Sequence, residues 1–128
     1  MVAEKADGGR HRVINRTRGT ELVRALEIAD TPSRRSRGLL GRSGLDQGTG
    51  LWIVPCESVH MFGMKFAIDL VYLDRRMRVK KVRHELKPWR ISACLTAHSV
   101  IELPVGAIEE SGTQSGDILE MVVEKDTD

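Results

Sequence analysis

VHMFGMKFAIDLVYLD, residues 59–74, is the stretch whose reading decides the fold. It is the most apolar run of the chain and holds its single Tyr, Tyr72, and both Phe, Phe62 and Phe66. Side chains alternate across an extended strand, so Ala67, Asp69, Val71 and Leu73 share one face. Phe66, Ile68, Leu70 and Tyr72 share the other. Both faces are mainly apolar, which describes a central strand covered on both sides. Asp69 is the one carboxylate inside it. Burying such a group costs several kcal/mol unless it is paired or hydrogen-bonded. Asp69 is therefore expected to specify the fold, by accepting backbone N–H groups at a bulge near Gly63 or by pairing with Lys65 or an arginine.

The flanking segments supply the partners for this strand. Upstream, residues 51–54 form a short buried strand ended by Pro55, and Cys56-Glu57-Ser58 leads into the central stretch. Gly63 marks a bulge or turn before the Asp69 strand. Downstream, residues 74–76 turn the chain into MRVKKVRH, whose apolar positions Met77, Val79 and Val82 shift phase once, as at a bulge. Pro88-Trp89 opens a connection to a strand at 98–103. A short helix at 104–111 follows, stopped by Gly112, and residues 117–123 close the set.

Nearer the N-terminus, a short strand at 13–14 and one at 21–29 flank the polar loop Arg16-Thr17-Arg18-Gly19. Leu22, Leu26 and Ile28 fall on one face of the second. Asp30-Thr31-Pro32 starts a helix, with a capping Thr and Pro at the first helical position. That helix is expected over residues 33–42, presenting Leu39 and Leu40 to the core. Gly38 within it costs about 1 kcal/mol relative to Ala, so a close packing contact is expected there. Residues 43–50 form a glycine-rich loop. Seven or so short strands with two short helices give an α+β class, predominantly antiparallel β. Such sheets curl to remove their edges, so a compact closed or barrel-like sheet is expected. One domain spans 11–123, with disordered tails at 1–10 and 124–128.

Composition narrows the class of function. Of the 128 residues, 41% are hydrophobic and 30% charged, an ordinary balance for a soluble globular domain. No run approaches the ~20 apolar residues of a membrane helix, and MVAEKADGGR lacks a signal-peptide core, so a cytoplasmic location is expected. Two cysteines, Cys56 and Cys94, are expected as reduced thiols. Net charge is unevenly spread: +5 over residues 1–44, +4 over 45–98 and −7 over 99–128. The two ends of the chain can pair with each other, or the basic body can meet an anionic partner.

Four pieces together resemble the family called domain of unknown function 192. They are RSRGLLGR at 35–42, GLWIVP at 50–55, the central stretch, and VIELPVG at 100–106 followed by Gly116-Asp117. They span nearly the whole chain in the family's order. The resemblance implies a compact, barrel-like, mostly β domain with the Arg-Gly-Leu helix packed on it, and it implies no reaction. Family members often carry Pro before the Ile/Leu-Asp pair, where this chain has Ala67. Some members are exported or membrane-anchored, and this chain shows no such signal.

Candidate sites follow from residue types. Cys56-x3-His60 and Cys94-x3-His98 repeat a spacing that invites Zn²⁺. Positions i and i+4 of a strand lie roughly 13 Å apart, while zinc requires both ligands at about 2.0–2.3 Å. No metal site is therefore expected, and no cofactor. A Cys56/His60/Asp69 triad can be composed but lacks a nucleophile elbow or oxyanion loop, so no catalytic residue is assigned. Arg34, Arg37 and Arg42, with Arg24, Arg35 and Arg90, are candidates for an anion site or a solvated cationic face. Nucleic acid is not expected, since only Trp52 and Trp89 extend the stacking surface. The leading expectation is a non-catalytic binding module for a small polar or anionic ligand or a peptide, held near His60, Met61, Lys65 and Asp69. The alternatives are a small enzyme using Asp69 with His60 or Cys56, and a structural subunit docking a protein partner through the basic helix face.

Overall fold

The computed structural model describes residues 9–125. In chain order its elements are β1 (Gly9–Asn15), β2 (Thr20–Ala29), α1 (Pro32–Arg37), β3 (Thr49–Ile53), β4 (Ser58–His60) and β5 (Ile68–Leu73). There follow β6 (Val79–Leu86), β7 (Ile91–Ala93), β8 (Ser99–Leu103), α2 (Ala107–Ser111) and β9 (Leu119–Lys125). The expected tails overlap β1 and β9 by two residues each; residues 1–8 and 126–128 lie outside the described residues.

Within the central stretch, residues 68–73 behave as the pattern requires, while Val59 and His60 belong to β4 and Phe66 and Ala67 lie outside the strand. Every residue of β5 is buried, and the strand lies between β6 and β8, antiparallel to both. Seven strands form one sheet in the order β6-β5-β8-β3-β2-β1-β9, while β4 and β7 make a separate two-stranded ribbon. Only β2 and β3 pair in parallel in the larger sheet, because α1 and the glycine-rich loop carry the chain between them.

Side-chain alternation divides the apolar residues into two cores. Val71 and Leu73 of β5 pack with Val13, Val23, Ile101, Leu103 and, from α2, Ala107 and Ile108. Ile68, Leu70 and Tyr72 face the other way, packing with Leu51, Ile53, Val59, Met61, Val100 and Leu39. Thus α2 covers one face, and the exit of α1 with the β4–β7 ribbon covers the other.

The sheet is not closed, which corrects the barrel-like expectation. Its edge strands β6 and β9 form no ladder. They approach through a single bridge between Arg78 and Ile118, flanked by the Val79 N–H bond to the Asp117 carbonyl at 2.8 Å. The curl runs as antiparallel sheets tend to, and bonds from the Gly116 N–H to the Val79 carbonyl at 2.8 Å and from the Leu119 N–H to the Met77 carbonyl at 2.9 Å also join the edges without making a ladder.

The first helix is also shorter than expected. Thr31 caps it, its hydroxyl accepting the Arg34 N–H, and Pro32 opens it. Gly38 (φ 50°, ψ −129°) then ends it at Arg37, five residues before Arg42, in a backbone conformation open essentially to glycine alone. No close packing contact explains this glycine, since a Cβ placed there meets nothing nearer than 3.9 Å. Leu39 still reaches the core, but Leu40 is exposed.

Two bulges interrupt the β5–β6 ladder, where one was expected, between Ile68 and Leu70 and between Tyr72 and Leu73. Among the described residues, no helix is long and apolar enough to cross a membrane.

Candidate functional site

Three carboxylates are buried among the described residues: Asp69, Glu102 and Asp117. Asking where each finds its donors separates structure from site.

Asp69 is fully employed by the fold. One carboxylate oxygen accepts the Glu85 N–H at 2.8 Å, and the other accepts the Gly106 and Ile108 N–H groups at 3.1 and 3.2 Å. Glu85 lies at a bulge with φ 46°, and Gly106 and Ile108 form the start of α2. The carboxylate ties β5 to β6 and to the helix. Its donors lie far along the chain, not near Gly63 or at Lys65.

Asp117 is likewise satisfied. It accepts from Asn15 Nδ2 at 3.0 Å, from the Gln114 N–H at 2.9 Å, and from Arg18 through Nε at 3.0 Å and Nη2 at 3.2 Å. Burial pushes its carboxyl up; Arg18, Asn15 and the Gln114 N–H outweigh it and hold it below the ordinary carboxylate range.

Glu102 is different. Strand β8 is buried at all five positions, and alternation sends Val100 and Glu102 toward the face covered by α1 and β4. Glu102 is only 5% exposed, wedged between Leu51 of β3 and Leu70 of β5 in the sheet. Among the described residues no hydrogen-bond donor serves its carboxylate. Burial pushes it up to about 7, with the charge of Arg42 pulling weakly back. One of its oxygens faces Gly38, at 3.9 Å from where a Cβ would stand.

The carboxyl opens into a cavity of about 110 Å³ between the exit of α1, the end of β3 and the ribbon strand β4. Leu39, Ile53, Val59, Met61 and Met64 give it apolar walls, while Arg35, Arg37, Cys56, Ser58 and His60 bring polar groups to its lining. At the mouth His60 stacks on Phe62 with ring centres 5.0 Å apart, and Phe62 meets Trp89 at 6.0 Å. Leu40, Phe62 and Trp89 are exposed, so the cavity opens beside an aromatic and apolar ridge.

The candidates named from sequence are thereby divided. His60 and Met61 line the cavity; Lys65 is exposed and outside its lining. Asp69 lies on the opposite face of the sheet from Met61, so Cys56, His60 and Asp69 do not converge. The Cys56 thiol donates to the Ser58 carbonyl at 3.1 Å instead of to His60. Burial pushes its pKa up, against the Ser58 bond, so it rests as a thiol and not as the nucleophilic thiolate.

The arginines scatter as well. Arg42 forms a double hydrogen bond with Glu27 at 2.9 Å on each arm, and Arg35 reaches the Asp30 carbonyl at 3.3 Å. Arg37 lines the cavity without a partner among the described residues. Arg34 gives its backbone N–H to the Thr31 cap, Arg24 lies over Gly48, and Arg90 is exposed. No group of three or more His, Cys, Asp or Glu among the described residues is placed to hold a metal.

Sequence reading passed over Glu102, though a signal was present. SVIEL has the form of the Asp69 stretch, with a carboxylate inside an apolar run. Only the missing donors distinguish the two, and those belong to other elements.

With this geometry in hand, comparison with known proteins gives a family and no activity. The DUF192 family model, described as "Uncharacterized ACR", matches residues 13–121. A UPF0127 protein from Thermococcus gammatolerans is 35% identical over 113 residues, covering 84% of this chain and 72% of its own. One from Thermococcus sibiricus is 32% identical over 120 residues, covering 89% and 77%. Two solved structures share the fold, each at a TM-score of 0.76. A protein of unknown function from Novosphingobium aromaticivorans is 20% identical, over 94% of this chain and 97% of that one. A Sinorhizobium meliloti protein, provisionally described as a transcription regulator, is 22% identical, over 88% and 92%.

Proposed function

The chain belongs to the DUF192 family, and we propose that it acts as a non-catalytic binding module for a small polar ligand held over Glu102. One observation carries this reading: of the three buried carboxylates among the described residues, only Glu102 lacks a donor there, and it is the one that faces a cavity. Leaving a charged group unsatisfied costs more than the ~1–3 kcal/mol of a neutral one. Nothing in the sheet requires that cost, since Leu or Gln would fill the same place. A bound donor group removes it, which is the pattern of a site that trades stability for function.

The cavity is small. An apolar cavity of roughly 150 Å³ admits a benzene ring, so about 110 Å³ suits a compact head group and excludes a nucleotide. His60 and Met61 remain as proposed ligand contacts. The enzyme alternative loses its basis, because Asp69 is employed elsewhere and Cys56 is held as a thiol.

Methyl NMR tests the reading. A panel of small cations, anions, zwitterions and neutral amides is titrated into protein labelled at its methionine methyls. Some compounds should move the Met61 and Met64 signals together, and lose that effect in Glu102→Gln. If no compound of any charge class moves either methyl, the cavity is a packing defect and the binding reading falls.

A further inference from the structure

Resting on that binding reading, we propose that the ligand is a small zwitterion of the amino-acid kind, its ammonium group held by Glu102 and its anionic end by Arg35 and Arg37. The argument begins with what the buried carboxyl lacks. An ionised carboxylate only accepts hydrogen bonds, and its surroundings offer none. An ammonium supplies three donors and a full positive charge in a compact group. Leu39, Ile53 and Met61 give the cavity apolar walls of low dielectric, which strengthens the attraction between opposite charges.

The rim fixes the other end. Arg37 has no partner among the described residues, and Arg35 gives one N–H to a carbonyl and keeps the rest of its donors for a ligand. Both come from the last turn of α1 and line the same cavity as Glu102. Glu102 is buried, whereas Arg35 is half-buried and Arg37 exposed, so the lining runs from a negative base to a positive rim. A purely cationic ligand is repelled at that rim, and a purely anionic one requires Glu102 to be protonated. A zwitterion satisfies both ends at once. The volume of about 110 Å³ limits its body to a few heavy atoms between the charged groups.

This pairing couples binding to protons. The titratable and charged groups around Glu102 are Arg35 and Arg37 of α1, Arg42 beyond it, Glu27 of β2, Cys56, His60 of β4 and Tyr72 of β5. Glu27, the second carboxylate on this face, is already taken by both arms of Arg42. Pairing with an ammonium favours the ionised form of Glu102, so binding releases the proton that the empty site holds. Affinity then falls about tenfold for each pH unit below the native pKa of about 7 and levels off above it.

Calorimetry on the whole chain tests this with four probes: β-alanine, taurine, ethylammonium and acetate. Titrations at pH 6 and pH 8, each in two buffers of different ionisation heat, count protons exchanged. The two zwitterions should bind at least tenfold more tightly than ethylammonium or acetate, release close to one proton at pH 6, and release almost none at pH 8. Glu102→Gln should abolish that proton release and most of the binding. Arg37→Gln should weaken the zwitterions while leaving ethylammonium unchanged or improved. Preferred binding of acetate with proton uptake overturns the ammonium assignment and leaves the binding module standing. So does silence from all four probes when neutral amides still move the Met61 and Met64 methyls. Silence in both experiments overturns the two readings together.

Discussion

Replacing Glu102 with Gln gives the sharpest stability test, because it keeps the shape of the neutral acid and removes its ability to ionise. The native carboxyl titrates at about 7 against an ordinary 4.5. Between those values the folded chain holds a proton that the unfolded chain has released. The linkage sign follows: the stability of the parent is greatest below 4.5 and is lost as pH rises through about 7. At about 1.4 kcal/mol per pH unit, that interval corresponds to a loss of about 3 kcal/mol as a ceiling. Gln has no such dependence. In urea unfolding Glu102→Gln should lead the parent by less than about 1 kcal/mol at pH 5. At pH 8 Glu102→Gln should be more stable by about 2–3 kcal/mol. Groups elsewhere titrate alike in both and cancel in the difference. A difference that is the same at pH 5 and pH 8, or a variant less stable at pH 8, refutes the claim that Glu102 is buried without a partner.

The other carboxylate behaves in the opposite way. Asp69→Asn replaces one acceptor oxygen with an NH₂ that faces at least one of the three backbone N–H donors and should cost about 2 kcal/mol or more, with Asp69→Ala costing at least as much; denaturant midpoints equal to the parent's count against it. Arg42→Gln should cost less than about 1 kcal/mol, since its bond to Glu27 is on the surface. The same change should move the Glu102 titration upward, because the Arg42 charge pulls it down, and an unmoved titration contradicts that coupling. In a Cys94→Ser background, Cys56 should react with iodoacetamide at pH 8 several-fold more slowly than in the denatured chain, as a half-buried thiol with a raised pKa does. Equal rates indicate an accessible thiolate and revive the nucleophile.

The sequence carried the local part of this fold and little of its closure. The alternation in residues 59–74 was enough to identify β5 as a covered central strand, and all six of its residues are buried. Thr31-Pro32 and Gly112 marked helix ends that the structure keeps. The end of α1 was misjudged because Leu39 and Leu40 continue a helical apolar spacing beyond Gly38. Only the backbone there, at φ 50°, reveals the stop. The β4–β7 ribbon was missed as a pairing because ISA and SVH are three residues each and owe their pairing to contacts across the chain. A curled sheet was foreseeable; whether its edges pair depends on β6 and β9, which are separated by most of the last third of the chain.

The site followed the same division. Asp69 was recognised as a structural acceptor from its apolar surroundings, but its donors lie 16, 37 and 39 residues away. Glu102 sits in an equally apolar run and has no donor at all. That contrast is a property of the tertiary arrangement, and a single sequence states only that both carboxylates are buried.

The titration of the Glu102 side-chain carboxyl carbon by NMR tests the central claim most directly. In the free protein the resonance should move with a midpoint near 7, where burial without a donor puts it. Saturating β-alanine should return that midpoint to the ordinary carboxylate range. A free-protein midpoint near the ordinary 4.5 contradicts the account, because a carboxylate that ionises so readily already has its partner.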